Sequence, residues 1–178
     1  MRIDRVAIAF IAALAAGCAT APPDGYTCCN LHYDYDRISD ANWHDLPMIP
    51  AGAKIRVVDY GVNRALVEID GKPIRIAHDY GRDRESVETY VRKLVVPWDP
   101  KELIASYPPE VRDAISRGTV IRGMTREQVI IAAGYPPTHR TFSVNENVWN
   151  LWASKHGRYE VHFNSQGTVE KLVGAPGY

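Results

Sequence analysis

An uninterrupted apolar run near the N-terminus constrains most strongly what this chain can become. Residues 6–16 contain no polar side chain, and Arg2 and Arg5 place positive charge before them. These eleven residues fall short of the roughly 18 to 20 that span a bilayer, but they match the core of an export signal. The sequence therefore predicts that residues 1–17 are a signal peptide and that the remainder folds as an exported globular protein.

The residues that end this run identify a candidate anchor. Leu14-Ala15-Ala16-Gly17 places small side chains before Cys18, as a cleavage site requires. This segment resembles the lipobox of bacterial lipoproteins, although Ala15 stands where that family usually has Leu. The resemblance implies cleavage before Cys18, acylation of its thiol (palmitate in that family) and lasting membrane attachment by two or more acyl chains. Ala19 in place of Asp implies the outer membrane, and the alternative is an ordinary secretory signal cut near Ala16.

The composition of the remaining chain limits its partners. Cleavage after residue 17 leaves 161 residues, enough for one ordinary domain or two small ones after a short tether. Loss of Arg2, Arg5 and Asp4 leaves 19 basic and 20 acidic residues, a net charge of −1. Such a chain has no overall field that attracts nucleic acid, so we expect no nucleic-acid partner. No later segment is apolar enough to cross a membrane.

Cys28 and Cys29 are the two remaining cysteines, and they are adjacent. Exported thiols usually pair, which favours a vicinal or intermolecular disulfide, but two packed or free thiols remain an alternative. Together with His32 they could also form part of a metal site. The spacing matches no zinc motif and no fourth ligand is evident, so we predict no metal and no other cofactor.

The next stretch contains short strand-like segments separated by turns. Residues 54–60 and 65–70 alternate apolar and polar side chains, and Asp70-Gly71 is the two-residue signal of a β-hairpin that continues into residues 72–76. A helical stripe of apolar residues follows at Val87, Tyr90, Val91 and Leu94. The pattern IPAGAKIRVVDYGVNRALVEIDGKPIRIAHDYG resembles a bacterial SH3-like module, and the resemblance implies a small barrel that binds peptides, cell-wall material or a neighbouring domain.

The C-terminal part shows two helix patterns and three strand patterns. Residues 108–118 begin with proline and end with glycine, and Thr125 and Gln128 form a capping box at the start of a second helix that Gly134 ends. Strand patterns follow at residues 147–153, 158–164 and 168–173. The segments GMTREQVIIAAGYPP, VWNLW and YEVHFNSQGTVEKL resemble the SmpA/OmlA domain of the BamE outer-membrane assembly lipoproteins. The resemblance implies two helices packed on a three-stranded antiparallel sheet.

These patterns together give the expected organisation. We predict an α+β protein with a small SH3-like β-barrel followed by a two-helix, three-stranded antiparallel BamE-like domain. The predicted boundaries are a signal peptide over residues 1–17, the lipidated cysteine and an irregular tether over 18–45, the SH3-like module with its trailing helix over 46–98, and the SmpA/OmlA-like domain over 99–178. The SH3-like module lies upstream of anything in BamE itself, so an assembly role cannot simply be transferred.

Catalytic signatures are missing from the sequence. It contains no Gly-x-Ser-x-Gly elbow, no His-Glu-x-x-His motif and no phosphate-binding glycine loop. His78 next to Asp79 could form an acid–base pair, but neighbours in an extended segment point to opposite faces, which favours a satisfied histidine without a catalytic role. We therefore predict that the protein is not an enzyme and name no catalytic residue.

Two functional hypotheses follow from this interpretation. The first is an outer-membrane lipoprotein, lipidated at Cys18, that binds another envelope protein from the periplasmic side; its oligomeric state is open. Its contact surface would be the exposed face of the three-stranded sheet, the segment leaving Gly123 and the loop over residues 135–146. We expect partner-binding side chains at Tyr135, His139, Trp149 and Trp152, although core packing is the stronger expectation for the two tryptophans. The alternative is a lipoprotein that binds cell wall or a small ligand through the SH3-like module.

Overall fold

The computed structural model describes residues 24–175, so the predicted signal peptide and Cys18 lie outside the described residues. Fifteen elements follow one another in this range. They are β1 (Asp24–Thr27), β2 (Leu31–Asp34), β3 (Arg37–Ser39), β4 (Met48–Ile49), β5 (Lys54–Tyr60), β6 (Arg64–Ile69), β7 (Lys72–Ala77), α1 (Val87–Leu94), β8 (Val95–Val96), α2 (Pro100–Ser106), α3 (Pro109–Ser116), α4 (Arg126–Ala133), β9 (Val148–Trp152), β10 (Arg158–Phe163) and β11 (Val169–Val173).

Eight strands form one curled mixed sheet in the order β4-β2-β3-β7-β6-β5-β1-β8. Its centre is the antiparallel meander β5-β6-β7, in which Asp70 (φ 48°) and Gly71 (φ 78°) provide the two positive φ angles of a tight hairpin turn. Strand β3 adds to β7 in parallel, and β1 adds to β5 antiparallel. The two-residue strands β4 and β8 form the edges, which leaves little unpaired backbone there.

The four described helices are short, and their ends follow local capping chemistry. Ser86 caps α1 through the amide of Thr89, and Thr125 and Gln128 form the predicted capping box at α4. Gly134 (φ 83°) ends α4 in a conformation that L side chains rarely adopt. Strands β9, β10 and β11 then form an antiparallel sheet in the order β11-β10-β9.

Two hydrophobic cores hold these layers together. The first packs the buried face of the eight-stranded sheet against α1, whose stripe at Val87, Tyr90, Val91 and Leu94 is buried as its spacing predicts. The second lies between α3, α4 and the three-stranded sheet and contains fully buried Trp149. Ile130 on α4 packs against both cores, so α4 lies where the two cores meet.

The predicted fold class is wrong. The protein is mostly sheet, with an eight-stranded mixed sheet, a three-stranded sheet and four short helices in the described range, instead of a small SH3-like barrel followed by a two-helix BamE-like domain. Strands β5–β7 are the middle of the larger sheet because β1 and β3, from the segment expected to be an irregular tether, pair with their two flanks. The C-terminal part also contains α2, which the sequence analysis did not predict.

No helix within residues 24–175 is both long and apolar enough to cross a membrane.

Candidate functional site

The segment between β1 and β4 connects the two cores through buried amide side chains. The side-chain nitrogen of Asn30 donates to the carbonyls of Ile115 (2.7 Å) and Ala132 (3.0 Å), and that of Asn42 donates to Ala133 (2.8 Å). These carbonyls lie in the last turns of α3 and α4, where the regular helical hydrogen bonds end, and of the three only Ile115 also accepts a backbone amide of the described residues, that of Gly118 at 3.0 Å. The segment therefore fixes the point at which α4 ends and the next loop begins.

That loop, residues 134–147, carries the candidate site, and a buried contact between Asp40 and His78 lies in the segment that faces it. Asp40 lies 2.9 Å from Nδ1 of His78, and both side chains are almost fully buried. The carboxylate of Asp40 also accepts hydrogen bonds from the amides of Tyr80 (3.0 Å) and Gly81 (2.8 Å). Tyr90 stacks on the His78 ring with centroids 4.8 Å apart. This network holds the backbone at residues 80–81 against the loop.

Four rings from four separate segments meet beside the loop, and we call them the aromatic row: Trp43, Tyr80, His139 and Trp152. Successive ring centroids lie 6.5, 5.4 and 5.3 Å apart. Tyr80 is 40% exposed and the other three are partly buried. Aromatic contacts of this kind hold the rings in place without covering them, which leaves a preformed apolar surface in contact with water.

His139 lies at the centre of the aromatic row as a neutral ring. Burial lowers its pKa, the charge of Arg140 lowers it further, and Asp40 acts in the opposite direction. Its Nδ1 is buried and has no hydrogen-bond partner within the described residues. A neutral imidazole between two aromatic rings behaves as a further apolar surface with one polar atom.

A cleft of about 570 Å³ is lined by other residues of the same loop. One wall is formed by the segment before α1 and by Lys93 in the last turn of α1, and the other wall is the loop itself. The residues that line it are Arg84, Glu85, Lys93, Tyr135, Pro136, Thr138, Thr141, Phe142, Ser143 and Val144. Phe142 is 63% exposed and Val144 is 39% exposed, so the rim of the cleft is apolar.

Of the two cations that line the cleft, only one is paired with a carboxylate of the described residues. Lys93 and Glu85 form an ion pair at 2.8 Å, and Lys93 Nζ also lies 5.2 Å from the centre of the Tyr135 ring. The guanidinium of Arg84 instead lies over the Phe142 ring, 4.5 Å from its centre. Burial raises the pKa of Tyr135, so its hydroxyl stays protonated as a hydrogen-bond donor.

Three of the four predicted contact residues lie at this loop. Tyr135 lines the cleft, and His139 and Trp152 belong to the aromatic row. Trp149 is fully buried against Phe163 in the second core, so it does not reach the surface. No sequence pattern had indicated Trp43, Tyr80 or Arg84 as site residues. Phe142, a large apolar residue within a polar loop, gave a local signal but was not singled out.

A second, smaller cavity of about 270 Å³ lies beside His44 and Tyr159. His44 Nδ1 lies 3.2 Å from the Tyr159 hydroxyl, and Nε2 lies 3.0 Å from the carbonyl oxygen of Ala133. Burial, with a smaller contribution from His32, lowers the pKa of His44 to about 4. Both ring nitrogens are occupied and the ring is neutral, so this arrangement supports the fold and offers no base to a ligand.

The other residues that the sequence offered as candidates are held by neighbouring groups of the protein. Cys28 and Cys29 are joined in a buried vicinal disulfide, which leaves no thiolate for a metal. His78 pairs with Asp40 instead of its neighbour Asp79, which forms an ion pair with Arg37. Within residues 24–175, no group of three or more histidine, cysteine or acidic side chains is placed to hold a metal ion.

Comparisons with family models, curated proteins and solved structures found no match to this chain.

Proposed function

We propose that this chain is a non-catalytic lipoprotein, anchored through Cys18 in the outer membrane, that binds another envelope protein. The observation that carries the proposal is the pair of preformed features that share one loop, the aromatic row and the cleft. They combine side chains from segments far apart in sequence, and buried hydrogen bonds hold the start of the loop at Ala133 and the backbone of Gly81 in place.

Several properties of this surface favour a protein partner. Phe142 and Val144 at the rim of the cleft and Tyr80 in the aromatic row are large side chains that remain exposed. Tyrosine and tryptophan are enriched at the centres of protein interfaces, because they bury much area and lose little conformational entropy. The rings already contact one another, so little further ordering would be needed on binding.

The sequence features support the location and the absence of catalysis. The resemblance of residues 14–18 to a lipobox supports the lipid anchor, and the resemblance of residues 108–173 to SmpA/OmlA segments supports a role among envelope proteins. The histidines His44 and His78 have both ring nitrogens within reach of protein oxygens, an arrangement that suits packing better than proton transfer.

An affinity purification from detergent-solubilised membranes tests the binding function. We expect a specific envelope protein to co-purify with the wild type, and recovery to fall about tenfold for Tyr80→Ala, the effect of losing one interface aromatic. Tyr35→Ala is the matched control, since Tyr35 is an exposed tyrosine (93%) outside the aromatic row. Equal recovery with both variants, or recovery of cell-wall fragments without any protein, would contradict the proposal.

The lipid anchor needs a separate experiment. We expect Cys18→Ser to move the protein from the membrane pellet to the soluble periplasmic fraction, because the thiol that carries the acyl chain is lost. Retention of the variant in the membrane pellet would show that Cys18 is not the anchor.

A further inference from the structure

We infer that the cleft binds an acidic peptide segment of the partner protein, with Arg84 receiving a carboxylate and Phe142 contacting a neighbouring apolar side chain. This inference rests on the proposed function, and it specifies the chemistry of the segment that would enter the cleft.

Arg84 is the unbalanced charge of the site. Its side chain is exposed, and it forms no ion pair with any residue from 24 to 175. Its guanidinium lies over the Phe142 ring at 4.5 Å. A guanidinium stacked in this way keeps its N–H donors at the edge of its plane, where they match the two oxygens of a carboxylate. The ring restricts the side chain before any ligand arrives.

The other charges of the cleft are already paired. Lys93 is bound to Glu85 at 2.8 Å, and the side chains of this pair are only 30% and 13% exposed. Two cations against one carboxylate leave the lining with a net charge of +1, carried by Arg84. The potential of the cleft therefore attracts a negative group and opposes a positive one.

The loop that forms the opposite wall has one carboxylate close in sequence to Phe142, that of Glu146, and this carboxylate already has hydrogen-bond partners. Glu146 accepts hydrogen bonds from the backbone amides of Phe142 (2.8 Å) and Ser143 (3.0 Å), and it thereby shapes the rim of the cleft. Because this carboxylate is directed at its own loop, Arg84 remains without a carboxylate from the described residues.

The remaining lining indicates a peptide in preference to a small anion. Phe142 and Val144 form an exposed apolar rim, and Thr138 and Ser143 place hydroxyls beside it. A volume of about 570 Å³ holds several side chains, much more than one anion requires. A segment with Asp or Glu next to an apolar residue satisfies both Arg84 and the rim.

Selection from a display library of random short peptides on the detergent-purified full chain tests this inference. We expect the selected peptides to be enriched in Asp or Glu beside an apolar residue. Their affinity should fall about tenfold or more for Arg84→Gln, since a charge-assisted bidentate contact is lost. Arg84→Lys should bind with intermediate affinity because it keeps the charge without the planar donors. Arg82→Gln, an exposed neighbour that does not line the cleft, should leave binding unchanged.

The outcomes distinguish this inference from the proposed function. Neutral or basic selected peptides, or acidic peptides that bind Arg84→Gln as well as the wild type, would overturn the inference. If a protein co-purifies from membranes and its recovery depends on Tyr80 but not on Arg84, the proposed function stands and the acidic-peptide inference is wrong. If no peptide is selected and no protein co-purifies, both are wrong.

Discussion

Asn30→Ala should destabilise the protein strongly, because one side chain connects the sheet to two helices. Asn30 is almost fully buried (1% exposed). Its nitrogen donates to Ile115 and Ala132, and its oxygen accepts from the amide of Ala51 at 3.0 Å. Alanine would remove all three hydrogen bonds and leave the carbonyl of Ala132 and the amide of Ala51 without a partner among the described residues, whereas the carbonyl of Ile115 would keep its bond from the amide of Gly118.

The size of the effect follows from the two groups that lose their last partner. A buried polar group left without a partner costs about 1–3 kcal/mol, and two of them give about 2 kcal/mol as a lower bound. A domain of this size is typically stable by about 5–15 kcal/mol, so the loss is a large part of the total. Asn42→Ala should have a similar cost that is not additive with it, because Asn42 donates to the carbonyl of Asn30 at 3.1 Å.

Urea denaturation followed by circular dichroism measures this free energy of unfolding. Asn145→Ala is the matched control, since Asn145 is exposed and a surface substitution usually changes stability by less than about 0.5 kcal/mol. A loss below about 1 kcal/mol for Asn30→Ala would refute the reasoning, because it would mean that water or a relaxed backbone replaces these hydrogen bonds.

Three further predictions concern pH, a helix end and the second core. As the pH falls from about 7 to about 4, the unfolded chain protonates His44 before the folded protein does, because burial lowers its pKa from 6.5 to about 4. The free energy of unfolding should fall by on the order of 3 kcal/mol from this group, and a His44→Phe variant that showed the same pH dependence would contradict this. Gly134→Ala should lower the melting temperature more than Gly123→Ala, since both have positive φ but only at Gly134 would a methyl group lie 2.5 Å from a buried amide nitrogen; equal shifts would count against the steric argument. Trp149→Ala should cost about 3–5 kcal/mol in urea denaturation and Trp152→Ala clearly less, because only Trp149 is fully buried; the reverse order would contradict the assigned core.

Local elements were predictable where a short stretch of sequence contains its own signal. The hairpin at Asp70-Gly71, the buried stripe of α1 and the capping box of α4 depend on residues at most seven positions apart, and all three occur in the structure. Strands β9, β10 and β11 lie within the predicted ranges because each has an alternating pattern. The predicted architecture was nevertheless wrong, since these signals do not specify which strands pair.

The candidate site was only partly predictable for a similar reason. The loop over residues 135–146 and the residues Tyr135, His139 and Trp152 were predicted from their neighbourhood in sequence. Tyr80 reaches His139 only because Asp40 holds the backbone of residues 80–81, and Arg84 reaches Phe142 only because α1 packs near the loop. No sequence pattern around Tyr80 and Arg84 indicates that they contact the loop, and none in the loop indicates that it contacts them.

The sequence alone determined the export and lipidation expectations at residues 1–18 and the local turns, caps and stripes of the folded part. Tertiary structure decided the rest. Strands of two to four residues, such as β1–β4, are too short to show a period, and they form because the sheet offers them partners. The hydrogen bonds of Asn30 join residues 85 and 102 positions apart, so they exist only once the chain has folded. The surface proposed for binding depends on such contacts.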